Sequence, residues 1–466
     1  MTTPTHETTA TAGGVAFTDL AAKFGTPLYV YDGEALSRQF TGLREALDPR
    51  VEIFFSLKAN PNISVCAYMH ELGARAEVSS RAELHTALRA GVAPADVIFV
   101  GPGKSVLELE EAVEAGIAAI VCESFGELAL IDRIAAQRGT VARVVLRINP
   151  SFAVKGAGLA MGGMPRQFGI DEATLFSAGA ELAARHPHVR LVGVHVYMGT
   201  RIMFPDTIVE NSRRILDLAE RVAGQLGFPL ELVDIGGGLG VAYFENESEL
   251  DLGELSGKLN PVLADFVERH PATRLIMELG RYLVAPAGTY VISVRYTKES
   301  MGRWFAVADG GTNHHMAAVG IGAVVHRNFP IRLLSRSGEA EVEIDAETAA
   351  QAQEPTRWQL TGPLCTPNDV IGKDVALPPL RVGDLIGIGH SGAYGPSASP
   401  TGFLSHGHPA EVLVVDGEAH LIRRRESMED LLGAQILCAP GRGAGQVGVP
   451  QAPADSATRR TTGQGR

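Results

Sequence analysis

The sequence predicts an α/β protein: a (β/α)8 TIM-like barrel followed by a C-terminal antiparallel β domain. Three observations lead there. Short apolar runs alternate with amphipathic stretches across residues 53–278. The residues with chemical potential gather at the C-terminal ends of those runs, where the loops of a barrel converge. After about Val284 helical periodicity gives way to short β-rich runs separated by Gly and Pro.

The expected strands are Ile53–Leu57, Ala76–Ser79, Val97–Val100, Ala119–Cys122, Arg143–Ile148, Val189–Val196, Leu230–Ile235 and Arg274–Glu278. Helical patterns lie between them, as in Ser80–Ala90, Val106–Ala115, Phe125–Gln137 and Asp206–Leu226. Such steps over about 230 residues match a barrel, whose usual length is about 250. A doubly wound sheet is the alternative, because periodicity does not close a sheet. The later β-rich runs are Tyr290–Tyr296, Trp304–Val307, Glu341–Ile344, Leu385–Ile388 and Ala410–Val415. Leu28–Tyr31 is also strand-like and is expected to join them. The expected organisation is a flexible tail over 1–14 and an N-terminal segment over 15–35 that joins the β domain. The barrel then spans 36–283, the β domain 284–439 and a second flexible tail 440–466.

Composition narrows the function. The chain has 466 residues, 45% hydrophobic and 20% charged, as in ordinary globular proteins. A net charge of -12 argues against nucleic acid or an anionic membrane as partner. No apolar run is long enough for a membrane span, and the first residues lack the pattern of a signal peptide. Cys66, Cys122, Cys365 and Cys438 are far apart and show no metal spacing, so no metal is expected. The expected compartment is the cytoplasm.

Lys58 closes the apolar run Ile53–Leu57, and Ala59-Asn60-Pro61-Asn62 follows at once. A lysine delivered to the end of a buried strand is paired or chemically employed. Burial should lower its pKa and free the amine to form a Schiff base with an aldehyde. Other strand ends supply Arg147, His195, Tyr197, Thr200, Gly236-Gly237-Gly238, Glu278, Gly280 and Arg281. The glycine triplet can curl its amides around an anion, although alone it is as readily a plain turn. Arg281 can add a bidentate charge and Thr200 a hydroxyl. Glu278 can hold a pyridine nitrogen protonated; alone, it reads rather as a structural ion pair with Arg281. His195 and Tyr197 alternate with Val194 and Val196, and either can stack on a flat ring. Cys365 and Tyr394 lie in turns of the second domain, Gly362-Pro363-Leu364-Cys365-Thr366-Pro367 and Ser391-Gly392-Ala393-Tyr394-Gly395.

The order of these motifs resembles the fold-type III pyridoxal-phosphate-dependent decarboxylases, which include diaminopimelate, ornithine and arginine decarboxylases and share the alanine racemase fold. The resemblance spans about Leu28 to Val415. It implies pyridoxal 5'-phosphate as cofactor, joined to Lys58. It implies that Gly236–Gly238, Gly280 and Arg281 hold phosphate or substrate carboxylate, with Arg147 and Thr200 also in the cofactor site. Glu278 then faces the pyridine nitrogen, Tyr394 contacts cofactor and substrate, and Cys365 returns the proton. The family forms head-to-tail dimers whose Cys365 loop completes the neighbouring site, so a homodimer is implied.

The departures concern substrate. Tyr197 stands where the family usually carries a stacking histidine. Thr366 replaces the acidic residue that grips a distal ammonium, and Ala317 replaces an arginine for a distal carboxylate. The next arginine is Arg327. Leaving a buried distal charge unpaired costs about 2–5 kcal/mol, which disfavours free ornithine, lysine or diaminopimelate. Met161–Gly169 and Gly362–Pro367 look like the decarboxylases of aminoglycoside side-chain (butirosin) and macrolactam starter-unit pathways. Those act on glutamyl, aspartyl or 3-methylaspartyl groups held by their side chains as thioesters on an acyl carrier protein. The rivals are decarboxylation of a free amino acid such as diaminopimelate, an amino-acid racemase, and a non-catalytic cofactor-binding regulator. An acidic carrier would need a basic patch on this acidic chain. Arg201, Arg213, Arg214 and Arg327 are candidates, though each alone reads rather as a solvated surface charge.

Overall fold

The computed structural model describes residues 10–153, 159–320, 327–336 and 356–436. The chain enters through helix α1 (Phe17–Phe24), strand β1 (Leu28–Asp32) and helix α2 (Gly33–Ala46). Strand-helix units follow: β2 (Val51–Ser56) with α3 (Ile63–Glu71), β3 (Arg75–Val78) with α4 (Arg81–Arg89), and β4 (Val97–Phe99) with α5 (Val106–Ala115). Next come β5 (Ala119–Cys122) with α6 (Phe125–Gln137), β6 (Ala142–Asn149) with α7 (Glu172–Ala178), and β7 (Val189–His195) with α8 (Pro205–Leu226). The series ends with β8 (Leu232–Gly237), α9 (Leu252–Arg269) and β9 (Arg274–Leu279).

Strands β2 to β9 pair in parallel in sequence order, and β9 returns to β2 with Met277 opposite Ile53. The sheet therefore closes as a barrel, which rules out the doubly wound alternative. Serines start three of the outer helices: Ser80, Ser105 and Ser124 each accept from the backbone amide of a glutamate three residues on. Ile208, Ile215, Val222 and Leu226 of α8 are buried at helical spacing, the stripe that seats a helix on a barrel.

Alternation along the strands sorts their side chains. Ile53, Phe55, Val144, Leu146 and Met277 belong to the main core, whereas Phe54, Ile98, Val121, Val145, Val192, Leu232 and Ile276 form a buried cluster of their own. The second set fills the barrel lumen. Two residues further along, the same face carries Ser56, Glu123, Arg147, Asp234 and Glu278. The lumen thus changes from apolar to polar at its C-terminal end.

The second sheet consists of β1, β10 (Gly288–Ser300), β11 (Arg303–Ala308), β12 (Ile331–Ser335), β13 (Thr356–Thr361), β14 (Val370–Leu377), β15 (Leu385–Ile388), β16 (Ala410–Val415) and β17 (Glu418–Arg423). Its order is β14-β13-β11-β10-β1-β16-β17, with β15 joining β10 and β12. Most pairs are antiparallel; β11 with β13 and β1 with β16 are parallel. β1 lies inside this sheet, its Leu28 opposite both Val291 and Ala410. The expected strand Glu341–Ile344 and tail 440–466 lie outside the described residues. Residues 10–14, expected within the first tail, are folded instead. Thr11–Ala12 pairs with Val15–Ala16, Ala12 is buried, and the Gly13 amide donates to Asp32. A second compact unit begins at Ser427; its described part is the helix Met428–Leu432, capped by Ser427. No helix of the described residues is long and apolar enough to cross a membrane.

Candidate active site

Lys58 stands just past β2, in the tight turn Leu57–Ala59. Its Nζ lies 3.1 Å from Oε2 and 3.3 Å from Oε1 of Glu77, which is fully buried on β3. Ser79 donates to the same carboxylate at 2.9 Å. This corrects the expectation of a lowered pKa. Burial does push the ammonium down, but Glu77 and Glu278, helped by Tyr197 and Tyr394, outweigh it and hold Lys58 protonated well above its ordinary range.

The second sheet reaches over to fix this turn. The Tyr394 amide donates to the Ala59 carbonyl at 2.8 Å, and Asn60 Nδ2 donates to the Gly392 carbonyl at 3.0 Å. Tyr394 adopts a left-handed φ of 53°. A non-glycine residue in that region costs energy and persists only where its surroundings enforce it.

The glycine triplet is packed, not loose. A Cβ on Gly237 would sit 1.7 Å from the Glu278 carbonyl of neighbouring β9, and one on Gly238 would sit 2.0 Å from the Gly199 carbonyl. Gly238 also has a φ of 85°. The strand ends approach this closely because side chains are absent. Beside them Arg281 is held by Tyr243, whose hydroxyl accepts from Nη1 at 3.2 Å, and its guanidinium lies 4.6 Å over the Tyr394 ring. Its Nε is buried without a hydrogen-bond partner. Among the described residues no carboxylate pairs with Arg281, so the anticipated Glu278–Arg281 ion pair is not formed.

Glu278 instead faces His195, with Oε1 3.3 Å from Nε2 and both side chains buried. Asp234 completes the group: the nearest ligand atoms of the three lie within 4.8 Å of one another. Burial raises both carboxyls. At Glu278 the His195 ring and the Lys58 ammonium overcome that, holding it below the usual carboxylate range. Asp234, desolvated and beside the Glu278 charge, is pushed well above that range. The shared proton therefore sits on Asp234. A raised folded-state pKa contributes stability below the unfolded value of 3.8, and loses it as pH rises through the folded value. D234N keeps the shape and needs no proton. Its melting temperature relative to wild type is expected to climb as pH rises above the unfolded value of 3.8, measured by thermal unfolding across a pH series. A constant difference would place the proton elsewhere.

Lys58, Tyr197, Thr200, Gly238, Glu278, Gly280, Arg281 and Tyr394 line one pocket together with Ser56. Tyr197 rather than His195 forms its wall, with Lys58 Nζ 5.6 Å from the ring centroid. Gly236 and Gly237 lie behind Gly238 in β8. Arg147 is elsewhere: it pairs with Glu123 at 2.8 Å and lies 4.6 Å over Phe168. Cys365 and Thr366 do not line the pocket, and Cys365 is exposed. Their loop is anchored by buried Asp369, which accepts from the Leu364 and Thr312 amides at 2.8 and 2.7 Å. Sequence reasoning missed Glu77, Asp234 and Tyr243. Glu77 was detectable as a lone charge between Ala76 and Val78 in an expected strand; Tyr243 has no local signal.

The pocket suits a phosphorylated, aldehyde-bearing pyridine. It offers an amine, an arginine with an orphaned Nε, a glycine cradle that any Cβ would fill, and the buried carboxylate of Glu278. The family described as pyridoxal-dependent decarboxylase, pyridoxal binding domain, matches residues 34–285. The chain is 38% identical to the L-glutamyl-[BtrI acyl-carrier protein] decarboxylase of Niallia circulans, over 90% of this chain and 96% of that one. It is 32% identical to the diaminopimelate decarboxylase of Pseudomonas aeruginosa, over 91% and 96%. Among solved structures, diaminopimelate decarboxylase of M. jannaschii in complex with L-lysine superposes with a TM-score of 0.81 at 28% identity, covering 91% of this chain and 95% of that one. The barrel, the pocket and these matches agree: the chain belongs to the pyridoxal-phosphate-dependent decarboxylases and is a carboxy-lyase.

Proposed function

We propose that this enzyme removes the α-carboxyl group from an acidic amino acid, glutamyl, aspartyl or 3-methylaspartyl, tethered through its side-chain carboxyl as a thioester to an acyl carrier protein. The observation that carries the reading is the greater similarity to the relative acting on a carrier-bound L-glutamyl group than to the diaminopimelate decarboxylases. Residue types point the same way. Ala317, in the short helix Met316–Val319, brings no charge to a distal carboxylate, and Thr366 brings none to a distal ammonium. Arg327 lies 3.9 Å from Glu247 and 5.2 Å over the Phe244 ring. A thioester removes the distal charge that such residues would otherwise have to meet.

Pyridoxal phosphate, when bound, supplies an aldehyde for amines and a ring that accepts the electron pair left as carbon dioxide departs. Lys58 is the amine that holds it, and Glu77, at 3.1 Å, is the base in reach of the Lys58 proton. Arg281, Thr200 and the Gly238 and Gly280 backbones would hold its phosphate. Glu278, kept ionised, would keep the pyridine nitrogen protonated, and Tyr197 would offer a ring face to the cofactor. Cys365 belongs to a homodimer in this reading. It is exposed and outside the pocket of its own chain, so it serves the site of a second copy, returning a proton to the α-carbon.

The test is intact-mass analysis of glutamyl, aspartyl and 3-methylaspartyl carrier proteins after incubation with the loaded enzyme. Loss of the mass of carbon dioxide from at least one is expected. Carbon dioxide release from free diaminopimelate, with every carrier species unchanged, would overturn the reading.

A further inference from the structure

Beside the pocket runs an open groove of about 1050 Å³ between the loop after β8 and one face of the second sheet. Its floor is aromatic: Tyr243 lies 4.6 Å from Phe329 and 5.7 Å from His390, centroid to centroid. Its sheet wall carries Arg332, Arg357 and Lys373, all exposed. Among the described residues none of these three forms an ion pair. Asp374 is the acid on that wall, and its carboxylate accepts from Gln359. Of the arginines first considered for docking, Arg327 lines the groove, 3.9 Å from Glu247, and the other three are differently placed. Arg201 is clamped by Glu247 at 2.7 and 3.0 Å, and Arg213 and Arg214 share Glu210.

We infer that this groove receives an acidic carrier protein, which rests on Arg332, Arg357 and Lys373 and lays its tethering arm along the aromatic floor. The inference deepens the carrier-bound reading above and rests on it. Charge argues for it. The enzyme carries a net -12, so an acidic partner is repelled overall and approaches productively only where cations cluster. The opposite wall, with Glu245 and Glu249, repels the partner and confines it to the sheet side. The floor suits an arm that is apolar between amides. His390 Nδ1 is buried without a hydrogen-bond partner, and burial lowers the ring's pKa, so it meets an amide as a neutral group. The inner end is also placed for delivery, since floor residue Tyr243 is the residue that holds Arg281 in the pocket.

The test compares a carrier-bound aminoacyl substrate with the same aminoacyl group on a short N-acetylcysteamine thioester. The holoenzyme and its R332E/R357E/K373E variant are both assayed. The ratio of kcat/KM for the carrier substrate to that for the short thioester is expected to fall at least about tenfold in the variant, through KM. Added salt should reduce the ratio for wild type and not for the variant. An unchanged ratio overturns the inference. So does a variant of altered oligomeric mass, which would make the groove a contact between copies. Wild-type enzyme that decarboxylates the short thioester but not the carrier substrate defeats docking alone. Enzyme that takes neither, but takes a free amino acid, defeats the functional reading itself.

Discussion

K58A is expected to lose turnover by at least about three powers of ten, because the nucleophile disappears while the rest of the pocket stays in place. Among the described lining residues Lys58 is the one amine, so no neighbour can substitute for it. Two readouts check this: carbon dioxide release, and mass gained at residue 58 after borohydride trapping with the cofactor. Wild type should show both and K58A neither. The substitution also leaves Glu77 and Glu278 buried without their shared cation, so a drop in melting temperature is expected. K58R separates the effects. It retains a positive charge near Glu77, should recover much of the stability, and should remain inactive, since a guanidinium does not form the required bond. Normal activity in K58A would remove the basis for every role assigned here.

E278Q is expected to lower kcat by about 10²–10³ while leaving covalent loading at Lys58 intact. The amide keeps the shape of the carboxyl group but carries no charge to hold a pyridine nitrogen protonated. It also removes one of the two carboxylates that keep Lys58 an ammonium. Loading and turnover should therefore separate: trapping at residue 58 persists while carbon dioxide release falls. Because Glu278 is held below the usual carboxylate range, its ionisation should leave no step in the rate profile around neutral pH. Full kcat in E278Q would assign the pyridine partner to another residue.

Much of the site could be read in the chain because a barrel strand ends where its chemistry begins. Val121, Val145, Leu232 and Ile276 fill the lumen, and two residues on, at the same parity, stand Glu123, Arg147, Asp234 and Glu278. The period of two carries that switch from apolar to polar directly. Strands β12, β13, β14 and β17 were less visible. β17 is mostly exposed and β12 and β14 mix buried with exposed positions, so apolar alternation is diluted, while β13 buries Trp358, Gln359 and Leu360 in a row and so shows no alternation.

The sequence by itself determined eight strand-helix steps, Lys58 at the end of one strand and a glycine run at the end of another, since each follows from local periodicity or residue type. Closure of the sheet into a barrel, the tight packing of the glycines and the partner of Glu278 came only with the tertiary structure. Tertiary structure alone decided which charges neutralise one another. Glu77 is 19 residues from Lys58 and His195 is on a strand remote from Glu278, yet each pair meets in the lumen. It also decided that Tyr197 rather than His195 lines the pocket, and that Tyr243 holds Arg281. Electrostatic partnership depends on distance and burial, and both arise only when the sheet closes and brings remote strand ends to one mouth.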